Sequence, residues 1–354
     1  MKPDRKPRKR VDSRPTRWMV AQKAGVSVAT VTHALLETPG KRIGKETRDR
    51  VKRIARELEY TPNFMGRALQ IGKTFTIGIL QPSHRSVFSL YYQTILFGMV
   101  RAMEVDDYHL LVLFRSEAKS YLKAVERGRV DGMFILQSDR GTQHIESVLS
   151  TGIPTMVVNA HYENPRIRKL GTVHSDHEEM MRRVVKEFHG LGCKSIVQIH
   201  NHQAYDANFH MFNAFQQAAA ELSQEGLSAS SLLLQEEFFS SQIEHAFAAR
   251  PKWDGVFVDG PSYAEFFVAT GRKYGLEPNR DYYLISSSTV DGDLTPSRSE
   301  VSAYTHQAEK MGAAAWESMK RLICENSTPP VTRVPYRRIA AGHGEKTGED
   351  SRSE

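Results

Sequence analysis

The sequence predicts an α/β protein made of a small N-terminal head of three helices and a larger, two-lobed body with parallel sheets. In the head, apolar residues recur at helical spacing in three short segments between residues 16 and 60. From residue 76 onward, short apolar strands alternate with amphipathic helices, and a second set of the same kind begins near residue 176. Such alternation is typical of parallel sheets with helices on both faces, and its repetition indicates two lobes.

The 354 residues are too many for one typical core and divide into five predicted segments. We expect a basic, disordered arm over residues 1–15, the head over 16–62, a hinge helix and linker over 63–75, the body over 76–340 and a disordered polar tail over 341–354. Within the body, lobe 1 is predicted at about 76–173 and 303–330, and lobe 2 at about 174–302 and 331–340.

The charge is unevenly distributed along the chain. The first 75 residues hold 19 Lys and Arg against 7 Asp and Glu, a net charge of +12, whereas the remaining residues hold 29 against 34, a net charge of −5. A basic surface attracts phosphate and releases counterions from DNA. A solvated arm would explain the basic residues before residue 11 but not those that continue into the periodic segments. The distribution therefore favours DNA as a partner.

The composition also excludes several classes of protein. Cys193 and Cys324 lie far apart and form neither a metal-binding spacing nor a disulfide framework, so we expect two free thiols in a reducing cytosol. No apolar run is long enough for a signal peptide or a membrane span, which predicts a cytoplasmic protein without membrane contact. Catalytic signatures such as a nucleophile elbow or a phosphate-binding loop are absent from the sequence, so we predict neither an enzyme nor a cofactor.

Three histidines, His200, His202 and His210, initially suggest a metal cluster. The first two follow a predicted strand, but zinc would need a further ligand and a fixed geometry. We therefore favour a polar loop at a cleft and expect no metal site.

The first two helices of the head are separated by a tight turn. We expect the first helix over residues 16–24 with Thr16 as its cap, followed by a turn at Gly25 and a second helix from Val28 that is capped by Ser27. The predicted inner face of the second helix is Val31, Ala34 and Leu35, and the predicted outer face is Val28, Ala29, Thr32 and His33. A third helix is expected from Gly44 or Lys45 to Tyr60, with an inner stripe of Val51, Ile54, Ala55 and Leu58.

Residues 21–35, AQKAGVSVATVTHAL, resemble the LacI family signature V-A-x-x-A-G-V-S-x-A-T-V-S-x-x-L. Residues 47–51, TRDRV, resemble the start of that family's third helix, and residues 60–69, YTPNFMGRAL, resemble its Y-x-P-N-x-x-A-R-x-L hinge. Because two long motifs occur in the family's order and spacing, the chain is identified as a member of the LacI family of transcriptional regulators. The resemblance covers about residues 16–336 and is closest in the head.

This resemblance implies that the second helix enters the major groove of double-stranded operator DNA. Val28, Ala29 and His33 match the family's base-reading positions, and Thr32 is expected beside them on the outer face. Thr16, Ser27 and Thr30 are candidate phosphate contacts at helix starts, although packing within the head is an alternative for Thr30.

In the hinge, Asn63 and Arg67 match the family's polar positions, and Leu69 matches the leucine that wedges into the minor groove. In the family this segment folds only on the operator, paired with the same segment of a second subunit. Gly66 replaces the usual Ala, which costs a helix up to ~1 kcal/mol, so we expect weaker or more conformation-dependent operator binding. An ordinary apolar contact in the linker is the alternative for Leu69.

The resemblance implies a periplasmic-binding-protein-like body with a small-molecule effector in the cleft between the lobes. The candidate effector-binding residues are Tyr91, Tyr92, Asp176, Met211, Pro261 and Ser288. The last three stand where sugar-binding relatives carry hydrogen-bonding side chains, so a typical sugar would leave polar groups unpaired. Either the effector is less polar and held by the two tyrosines, which could equally be core, or the body senses a protein partner or no ligand.

The family resemblance further implies a homodimer that represses transcription from a palindromic operator. The tail lacks a leucine heptad, which favours a dimer over a tetramer. Effector binding is expected to change the angle between the lobes and so the spacing of the hinge segments. The sequence leaves open the effector, the operator and whether the effector releases or recruits the protein.

Overall fold

A computed structural model describes residues 15–36, 43–61, 68, 71–83, 88–137, 139–200, 206–235, 238–249, 252–288, 300–325, 327, 329 and 331–341. The chain divides into two compact units, the head at Met1–Thr74 and the body at Phe75–Glu354. The predicted hinge residues Asn63, Gly66, Arg67 and Leu69 lie outside the described residues, as do residues 1–14, His202 and residues 342–354.

The head consists of helices α1 (Arg17–Ala24), α2 (Val28–Leu36) and α3 (Lys45–Glu57). The Thr16 hydroxyl accepts a hydrogen bond from the Met19 N–H at 3.3 Å, and Gly25 ends α1 at a φ of 65°. The predicted cap and turn are therefore confirmed. Helix α3 stops before the predicted Tyr60, because the chain turns out of the helix at Glu59, which has a φ of 51°.

The three helices bury a small apolar core. Its members are Val20, Ala21, Ala24, Val31, Ala34, Val51, Ile54 and Ala55, with Leu35 and Leu58 partly buried against them. The predicted inner faces of α2 and α3 are therefore confirmed. Lys23 of α1 also forms an ion pair with Glu57 of α3, with 2.9 Å between Nζ and Oε2. Both side chains are about half exposed, so this surface pair adds little to stability beyond the packing.

The body alternates strands and helices, as predicted. Its strands are β1 (Thr76–Gln81), β2 (His109–Phe114), β3 (Gly132–Leu136), β4 (Thr155–Val158), β5 (Leu170–Ser175), β6 (Ser195–His200), β7 (Ser228–Leu233), β8 (Gly255–Val258), β9 (Tyr283–Ser288), β10 (Ser302–Thr305), β11 (Thr332–Val334) and β12 (Arg337–Ile339). Its helices are α4 (Leu90–Glu104), α5 (Leu122–Glu126), α6 (Gln143–Leu149), α7 (His177–Gly190), α8 (Asp206–Glu221), α9 (Phe239–Ala248), α10 (Pro261–Lys273) and α11 (Ala308–Lys320), with short helical turns at Ser223–Glu225 and Arg321–Glu325.

The strands form two six-stranded sheets, one in each lobe. The first lobe has the order β11-β5-β4-β3-β1-β2, and all of its pairs are parallel. The second lobe has the order β12-β10-β9-β8-β6-β7 and is parallel except for β12, which runs antiparallel to β10. The predicted two-lobed α/β body with parallel sheets is confirmed.

The chain crosses between the lobes three times: after β5, after β10 and between β11 and β12. Two predicted boundaries were therefore wrong. Strand β10 belongs to the second lobe although residues 303–330 were assigned to lobe 1, and β11 belongs to the first lobe although residues 331–340 were assigned to lobe 2. Strands this short carry too little sequence pattern to indicate which sheet they join, because their pairing partner decides it.

Helices α4 and α11 approach each other very closely in the first lobe. A Cβ added to Gly98 would lie 2.0 Å from the Glu309 carbonyl oxygen, and one added to Gly312 would lie 2.0 Å from the Ile95 carbonyl oxygen. Both positions therefore require glycine. Next to this contact, the fully buried Trp316 donates a hydrogen bond from Nε1 to Asp106 Oδ2 at 2.7 Å.

Candidate functional site

In the head, the start of α2 is capped and exposed. The Ser27 hydroxyl accepts a hydrogen bond from the Thr30 N–H at 3.0 Å. The Val28 side chain is 39% exposed, Ala29 is exposed, and His33 is half-buried one turn further on. A helix start of this kind offers free N–H groups to phosphate and methyl groups to thymine edges.

Thr32 does not lie on the outer face as predicted. It is only 8% exposed, its hydroxyl donates to the Val28 carbonyl oxygen at 3.0 Å, and Arg17 of α1 donates to the same hydroxyl at 3.4 Å. The periodicity of α2 could not indicate the burial of Thr32, because the covering contact comes from Arg17 on the neighbouring helix. Thr16 and Ser27 are exposed at the starts of α1 and α2, and Thr30 is half-buried.

In the body, five histidines gather where the two lobes meet. His161 follows β4, His174 lies in β5, His177 begins α7, His210 lies in α8 and His306 follows β10. Of these five, only His210 belongs to the group of histidines that the sequence pattern indicated. The others are spread over almost 150 residues in no motif, and only the crossing topology brings them together.

A hydrogen bond between a histidine and a carboxylate links the lobes. His161 of the first lobe places Nδ1 2.8 Å from Oδ2 of Asp206, which begins α8 in the second lobe, and its main-chain N–H donates to the same oxygen at 2.9 Å. The His161 ring also stacks on the His210 ring, with centroids 3.5 Å apart, and contacts the His174 ring at 3.8 Å. His210 Nε2 lies 3.7 Å from Asp206 Oδ1.

Burial and hydrogen bonding determine which side chains of this inter-lobe site are charged. It lowers the pKa of His174 to about 4, assisted by the nearby His161, and it lowers the pKa of His210 with the same assistance. For Asp206, burial raises the pKa, but the hydrogen bonds from His161 outweigh it and hold the pKa below its ordinary value. At neutral pH the site therefore combines a carboxylate with neutral imidazoles at His174 and His210.

A second hydrogen-bonded group joins all three crossings. The Tyr336 hydroxyl lies 2.8 Å from His177 Nδ1 and 3.3 Å from His306 Nε2, and His306 Nδ1 lies 3.1 Å from the Ser175 hydroxyl. The Tyr91 ring packs on His306 with centroids 4.9 Å apart. Burial lowers the pKa of His306 to about 3. We call Ser175, His177, His306 and Tyr336 the crossing group.

The second lobe contributes a hydrogen-bonded polar group at the carboxyl ends of its strands. Asp259 Oδ1 accepts a hydrogen bond from the Ser287 hydroxyl at 2.5 Å, and the Gly260 N–H donates to that hydroxyl at 2.9 Å. Burial raises the pKa of Asp259. A small pocket lies beside it, lined by Ile199, His200, Leu234, Phe239, Val258, Asp259 and Tyr263. This is where parallel sheets commonly bind ligands.

Some of the predicted effector residues lie near the inter-lobe region, and others lie in the core. Tyr91 adjoins the inter-lobe region and donates to Asn159 Oδ1 at 2.6 Å, while Tyr92 is partly buried against the first-lobe core. Asp176 caps α7, since its Oδ1 accepts from the Glu179 N–H at 3.1 Å. Pro261 begins α10, and Ser288 ends β9 at 5% exposed.

The prediction that Met211 lines the cleft is contradicted. Met211 is 1% exposed and packs in the second-lobe core with Phe215 and Phe188. One residue along a helix turns the side chain by about 100°. The preceding His210 is therefore the residue of this pair that reaches the other lobe, where it stacks on His161.

Comparison with known protein families identifies the family of the head domain. Residues 20–63 match the family described as “LacI: Bacterial regulatory proteins, lacI family”. This stretch contains the core residues of all three helices as well as the exposed start of α2. The chain carries a LacI-family helix-turn-helix domain. The match corresponds to the motif on which the family resemblance was predicted.

The curated relatives match about half of the chain. The HTH-type transcriptional regulator RegA of Clostridium saccharobutylicum is 29% identical over 143 residues, which are 39% of this chain and 42% of RegA. The probable HTH-type transcriptional repressor ExuR of Bacillus subtilis (strain 168) is 28% identical over 192 residues, 53% of this chain and 55% of ExuR. The chain thus spans about half the length of the curated relatives it matches.

Two solved structures of transcriptional regulators share the fold across nearly the whole chain. A lac repressor dimer bound to operator and the anti-inducer ONPF has a TM-score of 0.73 at 16% identity, covering 93% of this chain and 98% of its own. A transcriptional regulator CelR–cellobiose complex has a TM-score of 0.63 at 20% identity, covering 94% and 100%. Among the helices that the structure describes, none has the length and apolar character needed to cross a membrane.

Proposed function

We propose that this chain is a sequence-specific DNA-binding transcriptional regulator of the LacI type. In this proposal it acts as a repressor, binds a palindromic operator as a homodimer and responds to a ligand held between the lobes. The observation that carries the proposal is the head: a LacI-family match over residues 20–63 coincides with a capped α2 whose first turn exposes Val28 and Ala29.

The charge distribution supports DNA as the partner. The net charge of +12 over the first 75 residues provides non-specific attraction to phosphate, and the remaining chain is mildly acidic. Sequence preference is assigned to α2, where Val28 and Ala29 in the first turn can contact thymine methyl groups and His33, one turn further on, can donate a hydrogen bond to a purine acceptor. Thr16, Ser27 and Thr30 are assigned to phosphate, and Asn63, Arg67 and Leu69 to the hinge contacts of the family.

An exposed apolar surface on α4 supports the homodimer. Leu90 is 53%, Phe97 54% and Val100 39% exposed, and Phe88 just before the helix is 82% exposed. A cluster of large apolar side chains on a monomer surface commonly marks a protein interface. A two-fold axis through this surface would give the two heads the symmetry of a palindrome.

The inter-lobe region supports a ligand-controlled body. The crossing group joins the three connections between the lobes, and the His161–Asp206 hydrogen bond joins residues on opposite sides of the cleft. A ligand that binds one lobe arrangement better than another shifts the balance between them, and the hinge segments carry that shift to DNA.

A second candidate keeps the DNA role but gives the body a protein partner in place of a small molecule. The observation that favours it is the burial of Met211 in the second-lobe core, at 1% exposed, which removes one expected ligand contact. A thermal-shift screen separates the candidates, because a specific small ligand raises the melting temperature of the folded chain.

Selection of bound sequences from a random DNA library by the full chain tests the proposal. We expect enrichment of a palindrome whose half-sites are about one or more helical turns apart. If the ligand-free chain enriches nothing, the selection is repeated with cell extract as a source of ligand. Failure under both conditions would show that the head is not a sequence-specific binder.

A further inference from the structure

The inter-lobe site contains a set of metal-ligating side chains that the DNA role does not use. His161, Asp206 and His210 each offer one ligand atom, and these atoms all lie within 4.8 Å of one another. The set is drawn from both lobes, since His161 follows β4 whereas Asp206 and His210 lie one turn apart on α8. Residues four apart on a helix face the same side, a spacing that also suits shared coordination of an ion.

The geometry is close to what a small ion requires. Zinc lies about 2.0–2.1 Å from its nitrogen ligands, so the ligand atoms of a tetrahedral site are about 3.3 Å apart. His161 Nδ1 and His210 Nε2 lie 2.8 Å and 3.7 Å from the nearer oxygens of Asp206. Small rotations of these side chains would therefore bring all three to a common centre.

The donor set also selects a class of ion. Two imidazoles and one carboxylate suit zinc and neighbouring divalent transition metals, whereas calcium and magnesium prefer oxygen ligands. The Asp206 side chain is 9% exposed, and its ion-pair partners in the described part of the chain are both histidines. A buried carboxylate without a permanently charged partner is stabilised by a bound cation.

The site is accessible and supported by neighbouring groups. The His210 side chain is 26% exposed and the His161 side chain 16%, which leaves a path for an ion from solvent. His174 packs on His161 with its own Nδ1 2.8 Å from the Ser175 carbonyl oxygen, so His174 donates there and its ring is fixed. Its packing limits the rotation of the His161 ring.

We propose that His161, Asp206 and His210 bind a divalent transition-metal ion of the zinc type between the two lobes, and that this ion is an effector of the regulator. The effector role rests on the proposed DNA-binding function, whereas metal binding does not. Because the ligands come from opposite lobes, the ion stabilises the arrangement in which His161 meets α8. By reciprocity, a change in operator affinity caused by the ion is matched by an equal change in ion affinity caused by the operator.

The test titrates the full, metal-stripped chain with Zn²⁺ by calorimetry and with Co²⁺ by visible absorption. The variants are His161→Gln and His210→Gln, with Asp206→Asn as a near-isosteric variant in case either histidine change prevents folding. His189→Gln is the matched control, because His189 is also a second-lobe histidine near a carboxylate, with Nε2 3.3 Å from Glu225 Oε2. Circular dichroism verifies that each variant folds.

We expect one ion per chain, with binding weakened on the order of 100-fold by each ligand change and unaltered in His189→Gln. Operator affinity should shift at least about fivefold on adding Zn²⁺. Absence of binding, or equal binding by the ligand variants and the control, overturns the metal site. Binding without any shift in a chain that recognises its operator overturns the effector role. A chain that binds no operator with or without Zn²⁺ contradicts the proposed function, while the titration still decides the metal site.

Discussion

At the residue scale, the inter-lobe histidines show how burial changes side-chain chemistry. His306 meets Ser175, Tyr91 and Tyr336, and burial lowers its pKa to about 3. None of these partners is a permanent charge, so the imidazole remains neutral at physiological pH. The sequence alone could not predict the lowered pKa of His306, because its neighbours Thr305 and Gln307 do not indicate that the three chain crossings bury it.

This buried histidine predicts acid sensitivity of the body. Above pH 6.5, the ordinary pKa of histidine, both folded and unfolded chains hold His306 neutral. As the pH falls from about 6.5 towards 3, only the unfolded chain takes up the proton, so stability falls by at most about 1.4 kcal/mol per pH unit for this residue. His306→Gln should reduce the loss of unfolding free energy between pH 7 and pH 5, measured by urea denaturation. An unchanged pH dependence would contradict the assigned pKa direction.

At the scale of helices and strands, the sequence pattern predicted most elements of the body up to residue 286 but missed β5 and α9, and it did not predict the individual elements that follow β9. Strand β5 reads LGTVHS and is buried along its whole length, yet half of its residues are polar. These polar residues include His174 and Ser175, which belong to the inter-lobe region. The strand was missed because its side chains serve the site as well as the core, so its apolar pattern is weak.

The contact between α4 and α11 gives a stability prediction for these elements. Gly312→Ala should destabilise the body by about 1–3 kcal/mol, because the new methyl group would meet the Ile95 backbone and push the helices apart. Gly190→Ala, at the exposed end of α7 with nothing within 4 Å of its Cβ position, is the control and should change stability by less than about 1 kcal/mol. Equal melting temperatures for both variants would show that the helices are not in close contact.

At the scale of the whole molecule, the family motif predicted the head and the two-lobed body, whereas neither the lobe boundaries nor the inter-lobe site followed from it. The lobe boundaries depend on which sheet each of the short strands β10, β11 and β12 joins. The inter-lobe site depends on contacts between residues far apart in the sequence, such as His161 and Asp206, which are 45 positions apart. Long-range contacts of this kind leave no local pattern. Dimerisation, in contrast, is a surface property that substitution can test directly.

The dimer prediction concerns Phe97 on α4. Phe97→Glu should convert the dimer to a monomer in analytical ultracentrifugation, because it would place two charges in an apolar two-fold interface. Phe238→Glu is the matched control, since Phe238 in the second lobe is also 54% exposed. A dimer that persists in Phe97→Glu, or is lost equally in both variants, would rule out the α4 surface as the interface.

The central claim, that α2 reads DNA sequence, is tested most directly by measuring the affinity of three chains for the selected palindrome: the unaltered chain, Val28→Asp and Leu233→Asp. An Asp at the first position of α2 favours the helix itself, so the head should remain folded. It would nevertheless face phosphates and bases, and we expect affinity to fall at least about tenfold. Leu233→Asp, at a residue 46% exposed on β7, should bind like the unaltered chain. Full affinity in a folded Val28→Asp variant would contradict the account.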